Sequence, residues 1–207
     1  MIKQAFLILL FLLSTATGLY SQRITPIYGY GYMPGREAIP NFAIKSNILY
    51  NLAASFNIGI EMRTSDHLTL DISANYNPFT FVKNEKFKHV LVQPEIRYWV
   101  NEAFNRHFIG AHLLYTSYNV GNDYLALRFF PSLKKNRFQG QGFGAGVSYG
   151  YQWILSPDFN FELSLGVGYI YFDYSKFEKK VNGAKIGSGR THYIGPTRLG
   201  FSLIYVL

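Results

Sequence analysis

From residue 42 to residue 207, apolar and polar positions alternate with a period of two, segment after segment. Residues 159–171 give the cleanest run: Phe159, Phe161, Leu163, Leu165, Val167, Tyr169 and Tyr171 fall on one side, Asn160, Glu162, Ser164, Gly166 and Gly168 on the other. Residues 142–155 repeat it, setting Phe143, Ala145, Val147, Tyr149, Tyr151, Trp153 and Leu155 against Gly144, Gly146, Ser148, Gly150 and Gln152. The same rhythm runs through 56–63, 68–75, 90–99 and 198–207, and more loosely through 42–51 and 108–120. Successive side chains of a strand point to opposite faces, so the pattern predicts strands with one dry and one wet face; a helix of about 3.6 residues per turn cannot produce it.

Strands of about nine residues or more are long enough to cross a bilayer at a tilt. An even, antiparallel and closed set is the architecture of outer-membrane barrels, because closure leaves no unpaired edge in lipid. The predicted fold class is therefore all-β, an eight-stranded antiparallel up-and-down transmembrane β-barrel of outer-membrane type, over residues 42–207. Short connections at 65–67, 101–107 and 156–158 alternate with long ones at 77–89, 121–139 and 175–191, as expected when short turns face the periplasm and long loops face outside. The turn near 52–54 is the exception.

Periodicity does not say which face points inward. A soluble lipocalin-like ligand-binding barrel would wrap its apolar face around a ligand. Three features favour the inverted arrangement. The polar face is dominated by Gly, Ser and Asn, which suits a narrow interior filled by side chains. Its charges nearly balance, Lys45, Arg63, Arg97 and Arg198 against Glu61, Asp71, Glu95 and Glu162, as a buried lumen network requires. Aromatics fall at two levels, Tyr98, Trp153, Phe161 and Tyr205 at one and Tyr50, Tyr76, Tyr171 and Tyr193 at the other, like the two girdles of a membrane barrel.

Ahead of the barrel, residues 1–21 read as a secretory signal: Lys3, an apolar run over 5–13, then small residues at Ser14, Ala16 and Gly18. Residues 22–41 hold Pro26, Pro34 and Pro40, which disfavour helix and central strand alike, and are expected as an extended lead-in.

Composition narrows the chemistry. With 48% hydrophobic and 15% charged residues among 207, the chain is not disordered. The absence of cysteine excludes disulfide scaffolds, thiolate zinc sites, thiol nucleophiles and lipid-anchored Cys. The histidines His67, His89, His107, His112 and His192 show no metal-ligand spacing, and no Gly-x-Ser-x-Gly or phosphate loop occurs. No catalytic, cofactor-binding or metal-binding residues are expected. The enzymatic alternative, a small barrel modifying outer-leaflet lipid, would draw on His89 or His192 with Ser132 or Ser188 at the outer rim. His112 is expected to point into the lumen, and Gly144, Gly146, Gly166 and Gly168 to make room there. The net charge of +8 is concentrated in the long connections, where lipopolysaccharide phosphates are the natural anionic neighbour; an exported protein has no nucleic acid to meet.

Residues 46–61 (SNILYNLAASFNIGIE), 70–81 (LDISANYNPFTF), 88–99 (KHVLVQPEIRYW), 118–121 (YNVG), 130–133 (FPSL), 144–155 (GAGVSYGYQWIL) and 193–207 (YIGPTRLGFSLIYVL) resemble the outer-membrane family of Bacteroidetes-type bacteria known as domain of unknown function 3575 (DUF3575). The resemblance covers the whole barrel region. It implies a barrel, an outer-membrane address and gene neighbours among fimbrial and other surface proteins, and no established activity. Some members carry a Cys pair in the last long loop; residues 176–185 here have none. The pattern Arg198-x-Gly200-x-x-Leu203-x-Tyr205 resembles the signal read by the barrel-insertion machinery, with Leu203 where an aromatic is usual. The expected partners are thus outer-membrane lipid and lipopolysaccharide, the insertion machinery during biogenesis, and surface or fimbrial proteins. The chain is expected to be a monomer with a plugged lumen, eight strands being too few for a water-filled channel.

Overall fold

A computed structural model describes residues 39–81, 85–121, 133, 136–180 and 182–207. The expected signal sequence, and all but residues 39–41 of the expected lead-in, lie outside them. Eight strands follow one another: β1 (Phe42–Asn47), β2 (Phe56–Arg63), β3 (Leu68–Asn77), β4 (Lys86–Trp99), β5 (Arg106–Gly121), β6 (Asn136–Ile154), β7 (Phe159–Glu178) and β8 (Lys185–Val206). Each pairs antiparallel with the next, and β8 returns to β1 from Ala43↔Val206 to Asn47↔Ser202, so a single sheet closes into a ring. The one α-helix among the described residues is α1 (Ile48–Leu52), and no described helix is long and apolar enough to cross a membrane.

The alternation read along the chain becomes the two faces of this ring. Glu162 is 1% exposed and Leu165, three residues on, is 54% exposed. Buried polar side chains meet across the interior: Arg97 of β4 touches Glu162 of β7. The outward face carries Ile58, Ile60, Ile72, Ile109, Val147 and Leu199, all exposed. Polar residues therefore line the inside and apolar residues cover the outside.

Near the short-turn end the interior is apolar. Trp99, Phe104, Phe108 and Ile204 are fully buried there with Ala43 and Ala103, and the Trp99 ring lies 6.0 Å from that of Phe104 and 4.8 Å from that of Phe108. Phe104 stands in the left-handed region (φ 64°) in the turn between β4 and β5, and the Asn160 amide donates to its carbonyl at 3.2 Å.

Three sequence expectations are corrected. The strand expected over 42–51 stops at Asn47, because the Asn47 side chain accepts from Leu49 N at 3.1 Å and caps α1. The same side chain donates to Leu199 O at 2.8 Å and accepts from Phe201 N at 3.3 Å, extending the β8 edge bonding where β1 has ended. Tyr50, expected in an outer aromatic girdle, sits on α1 and lines the polar interior instead. The long connections are also shorter than expected. Strand length rises around the ring, from 6 residues in β1 to 22 in β8, and β7 and β8 continue as a two-stranded ribbon through most of 175–191. Both faces of that ribbon are wet or only partly covered, so alternation fades while the backbone ladder persists.

Packing around Phe108 yields a test. Gly150 stands in register with Phe108, and a Cβ there would strike the Phe108 ring. Gly150→Ala is expected to destabilise the fold by about 1–3 kcal/mol, seen as a lower thermal midpoint by circular dichroism. Gly187→Ala, whose Cβ would meet nothing within 4 Å, should leave the midpoint unchanged.

Candidate functional site

Three carboxylates stand side by side across the sheet. Glu61 is in register with Asp71, and Asp71 with Glu95, so β2, β3 and β4 each present an anion at one level of the interior. All three are buried. Like charges placed directly opposite destabilise a sheet, and burial makes an unpaired charge costlier still.

Arg97 resolves this. Two residues along β4 from Glu95, it is fully buried at the centre of the ring. Its Nη1 donates to Glu61 Oε2 at 2.9 Å and to Glu162 Oε2 at 2.8 Å, its Nη2 to Glu162 Oε1 at 3.2 Å, and its Nε to Glu95 Oε2 at 2.7 Å. Guanidinium presents its donors in a rigid plane, which lets one side chain engage three carboxylates from three strands. Lys45 of β1 adds ion pairs to Asp71 at 2.7 Å, to Glu162 at 3.4 Å and to Glu61. Arg198 of β8 donates through Nη2 to Asp71 Oδ1 at 2.8 Å, and its Nε lies 3.4 Å from Glu95 Oε2. The remaining carboxylate oxygens find hydroxyls: Thr69 donates to Glu61 and accepts from Trp99 Nε1 at 2.9 Å, and Ser148 donates to Glu95. Below, the Phe108 ring centroid lies 4.2 Å from Arg97 Cζ, a cation–π contact joining the charges to the apolar end.

The far wall supplies space rather than charge. A Cβ on Gly110 would come within 2.8 Å of the Glu95 carboxyl carbon, on Gly146 within 2.7 Å of His112 Nε2, and on Gly166 within 2.9 Å of Arg198 Cβ. Gly144 and Gly168 press instead on the neighbouring strand. His112 is buried in the interior as expected, its Nε2 2.9 Å from Thr197 Oγ1 and its Nδ1 3.8 Å from Glu95 Oε1. Above the charges lies a polar well of about 30 Å³, lined by Asn47, Tyr50, Asn57, Asn75, Ser164 and Arg198 among others. It has room for a water or two and for nothing larger.

Of the eight expected network residues, Lys45, Glu61, Asp71, Glu95, Arg97, Glu162 and Arg198 converge here. Arg63 does not. It is the last residue of β2, and its guanidinium bonds Asn41 Oδ1 at 2.7 Å and Asp66 Oδ1 at 3.0 Å at the rim. Alternation assigns a side chain to a face but not to a depth. Sequence reasoning also missed Thr69, Ser148 and the Trp99–Phe108 floor. The signal for Trp99 was available, since it shares the parity of Glu95 and Arg97 and so had to face inward.

The residues considered for an enzymatic rim do not assemble among the described residues. His192 Nδ1 is 2.5 Å from the Tyr169 hydroxyl, and His89 Nδ1 is 3.2 Å from Phe87 O. Ser132 lies outside the described residues. No group of metal-ligating side chains is found among them either; the clustered carboxylates enclose Arg97 and Lys45. What the interior can do is hold six strands in one register.

A family model described as protein of unknown function (DUF3575) matches residues 7–207. The chain belongs to this family. No curated protein and no solved structure matches it. For this DUF3575 protein the interior geometry itself defines the candidate site, and its keystone can be tested. Arg97→Met keeps an unbranched side chain but leaves four buried carboxylates facing only Lys45 and Arg198. It is expected to cost about 3–5 kcal/mol, read as a lower denaturant midpoint. Adding Glu162→Gln to that variant should restore part of the loss, since it removes one of the stranded charges.

Proposed function

We propose that this DUF3575 protein is an integral outer-membrane β-barrel with a plugged lumen, exported by its N-terminal signal and serving a structural, adhesion or surface-assembly role. The observation that carries the reading is the inversion of the ring: a charged, hydrogen-bonded interior within an apolar exterior. A soluble monomer rarely exposes a contiguous apolar patch beyond a few hundred Å², whereas here exposed Ile, Leu and Val ring the sheet on every side. Lipid is the solvent that suits such a surface, and a closed ring is the sheet form that suits lipid. Aromatics gather outward near the short-turn end, where the Trp153 ring lies tilted 5.7 Å from that of Phe161 and Phe161 meets Phe201 edge to face at 4.7 Å, as at a membrane interface.

In this reading the short turns face the periplasm and the tall β6–β8 side rises outside, placing Lys176, Lys180, Lys185 and Arg190 beside lipopolysaccharide phosphates. The Trp99–Phe108 floor and the ion network above it leave no path for solutes, so the barrel serves as a monomeric anchor, with surface or fimbrial proteins as partners, rather than as a pore.

Two measurements test this. Leu165→Arg puts an unpaired charge on the lipid face at a cost of about 2–4 kcal/mol near mid-bilayer. The variant should be depleted from carbonate-washed outer membranes yet fold in detergent. Recovery of the wild-type chain folded in the periplasm without detergent would sink the membrane reading. For orientation, an epitope tag between Asn182 and Gly183 should bind antibody on intact cells, and a tag within 156–158 only after the outer membrane is opened; the reverse labelling would invert the proposed topology.

A further inference from the structure

Among the described residues, the unequal strand lengths leave part of one edge of β8 without a partner strand. It pairs with β1 only from Ser202 to Val206, and the Asn47 side chain covers the backbone at Leu199 and Phe201. From residue 185 to residue 195, β7 bonds one edge of β8, and no described strand bonds the other. At about 3.3 Å per residue this open edge is about 35 Å long. A row of unpaired N–H and C=O groups is a template for another strand, and proteins usually blunt it with charges, prolines or bulges. Here Pro196 and the bulge beside it lie at the foot of the stretch, where a strand with one free edge tolerates them. A second register shift falls at Ile186, and Lys185 and Arg190 flank an uncharged run, Ile186-Gly187-Ser188-Gly189, in which a Cβ at Gly187 would meet nothing within 4 Å.

We propose that this edge of β8 is a docking site for an extended, acidic strand of a partner protein, added to the sheet beside residues 185–195. Backbone hydrogen bonds would supply most of the affinity, and side chains the selection. The selection is for acid. The β7–β8 hairpin carries Lys176, Lys179, Lys180, Lys185 and Arg190 against Asp173 and Glu178. Arg190 lies 3.8 Å from Asp173, Lys180 2.6 Å from Glu178 and Lys179 2.8 Å from Glu85, while Lys176 and Lys185 form no ion pair among the described residues and carry the excess. The same excess of positive charge opposes the pairing of two copies edge to edge. In the cell the site depends on the outward orientation proposed above, but the edge belongs to the folded ring and can be tested apart from it.

The full chain, folded in detergent, is titrated into a fluorescently labelled peptide of about a dozen residues alternating threonine with glutamate. Anisotropy should report saturable binding. The peptide N-methylated at alternate residues, which removes its donors along one edge, should bind roughly tenfold more weakly or worse. A threonine–lysine peptide, and the protein variant Lys185→Glu/Arg190→Glu, should each lose about as much. Heat-modified gel mobility verifies that the variant is folded. Equal binding of the methylated and unmethylated peptides would overturn strand addition, since only surface charge would then be read. Failure of the acidic peptide to bind the folded wild-type chain would overturn the site. Concentration-dependent dimers abolished by the same variant would replace the acidic partner with a second copy. None of these outcomes bears on membrane insertion, which fractionation decides separately.

Discussion

A guanidinium sealed from water can be kept inside a protein only if carboxylates surround it, and Arg97 is held in this way. Taking its charge and those of Glu61, Asp71, Glu95 and Glu162 out of water is costly, and their attraction repays the cost only when geometry and hydrogen bonding are close to ideal. Here the partners come from β1, β2, β3, β4, β7 and β8, so the network is satisfied only when the ring is closed and every strand is in register. A slip of one residue on any of these strands would turn its charged residue outward and bring an apolar one in. The network thus selects one register among many that backbone pairing alone would allow.

The same demand explains the placement of glycine and aromatic residues. Long polar side chains fill the interior, and Gly110, Gly146 and Gly166 yield the space that Glu95, His112 and Arg198 occupy. Where the charges end, Trp99 and Phe108 take over, with Arg97 stacked on one face of Phe108 and Gly150 opening a slot for its ring. Interior volume, charge balance and ring closure are therefore parts of one problem. Among the described residues, the space left above the charges is the polar well of about 30 Å³.

At the rim the ring is unequal. β1 gives way to α1 after six residues, while β8 runs for 22, so the backbone pairing that seals the lower ring gives out above it. Asn47 bridges the first step of the mismatch with side-chain hydrogen bonds, and beyond it the edge of β8 away from β7 has no partner strand among the described residues. The tall side of the molecule combines exposed backbone with an excess of basic side chains, whereas the lower ring combines apolar side chains with fully paired backbone.

Alternation, cleanest over residues 159–171 and 142–155 and present on the other strands as well, determined strands, their two faces and, through inward parity, seven of the eight residues expected in the charge network, because side-chain direction along a strand depends on local geometry alone. Several features were not legible there. Parity carries no depth, so Arg63 looked like Arg97 until the ring placed one at the mouth and the other at the centre. A ribbon wet on both faces has no hydrophobic period, so the extension of β7 and β8 was visible only as cross-strand pairing. The preference of Asn47 for capping a helix over continuing a strand turned on Leu199 and Phe201, more than 150 residues away. Faces follow from the sequence because they are local. Depth, strand length and the identity of each ion pair were decided by the closed ring, because they depend on which distant residues closure brings together.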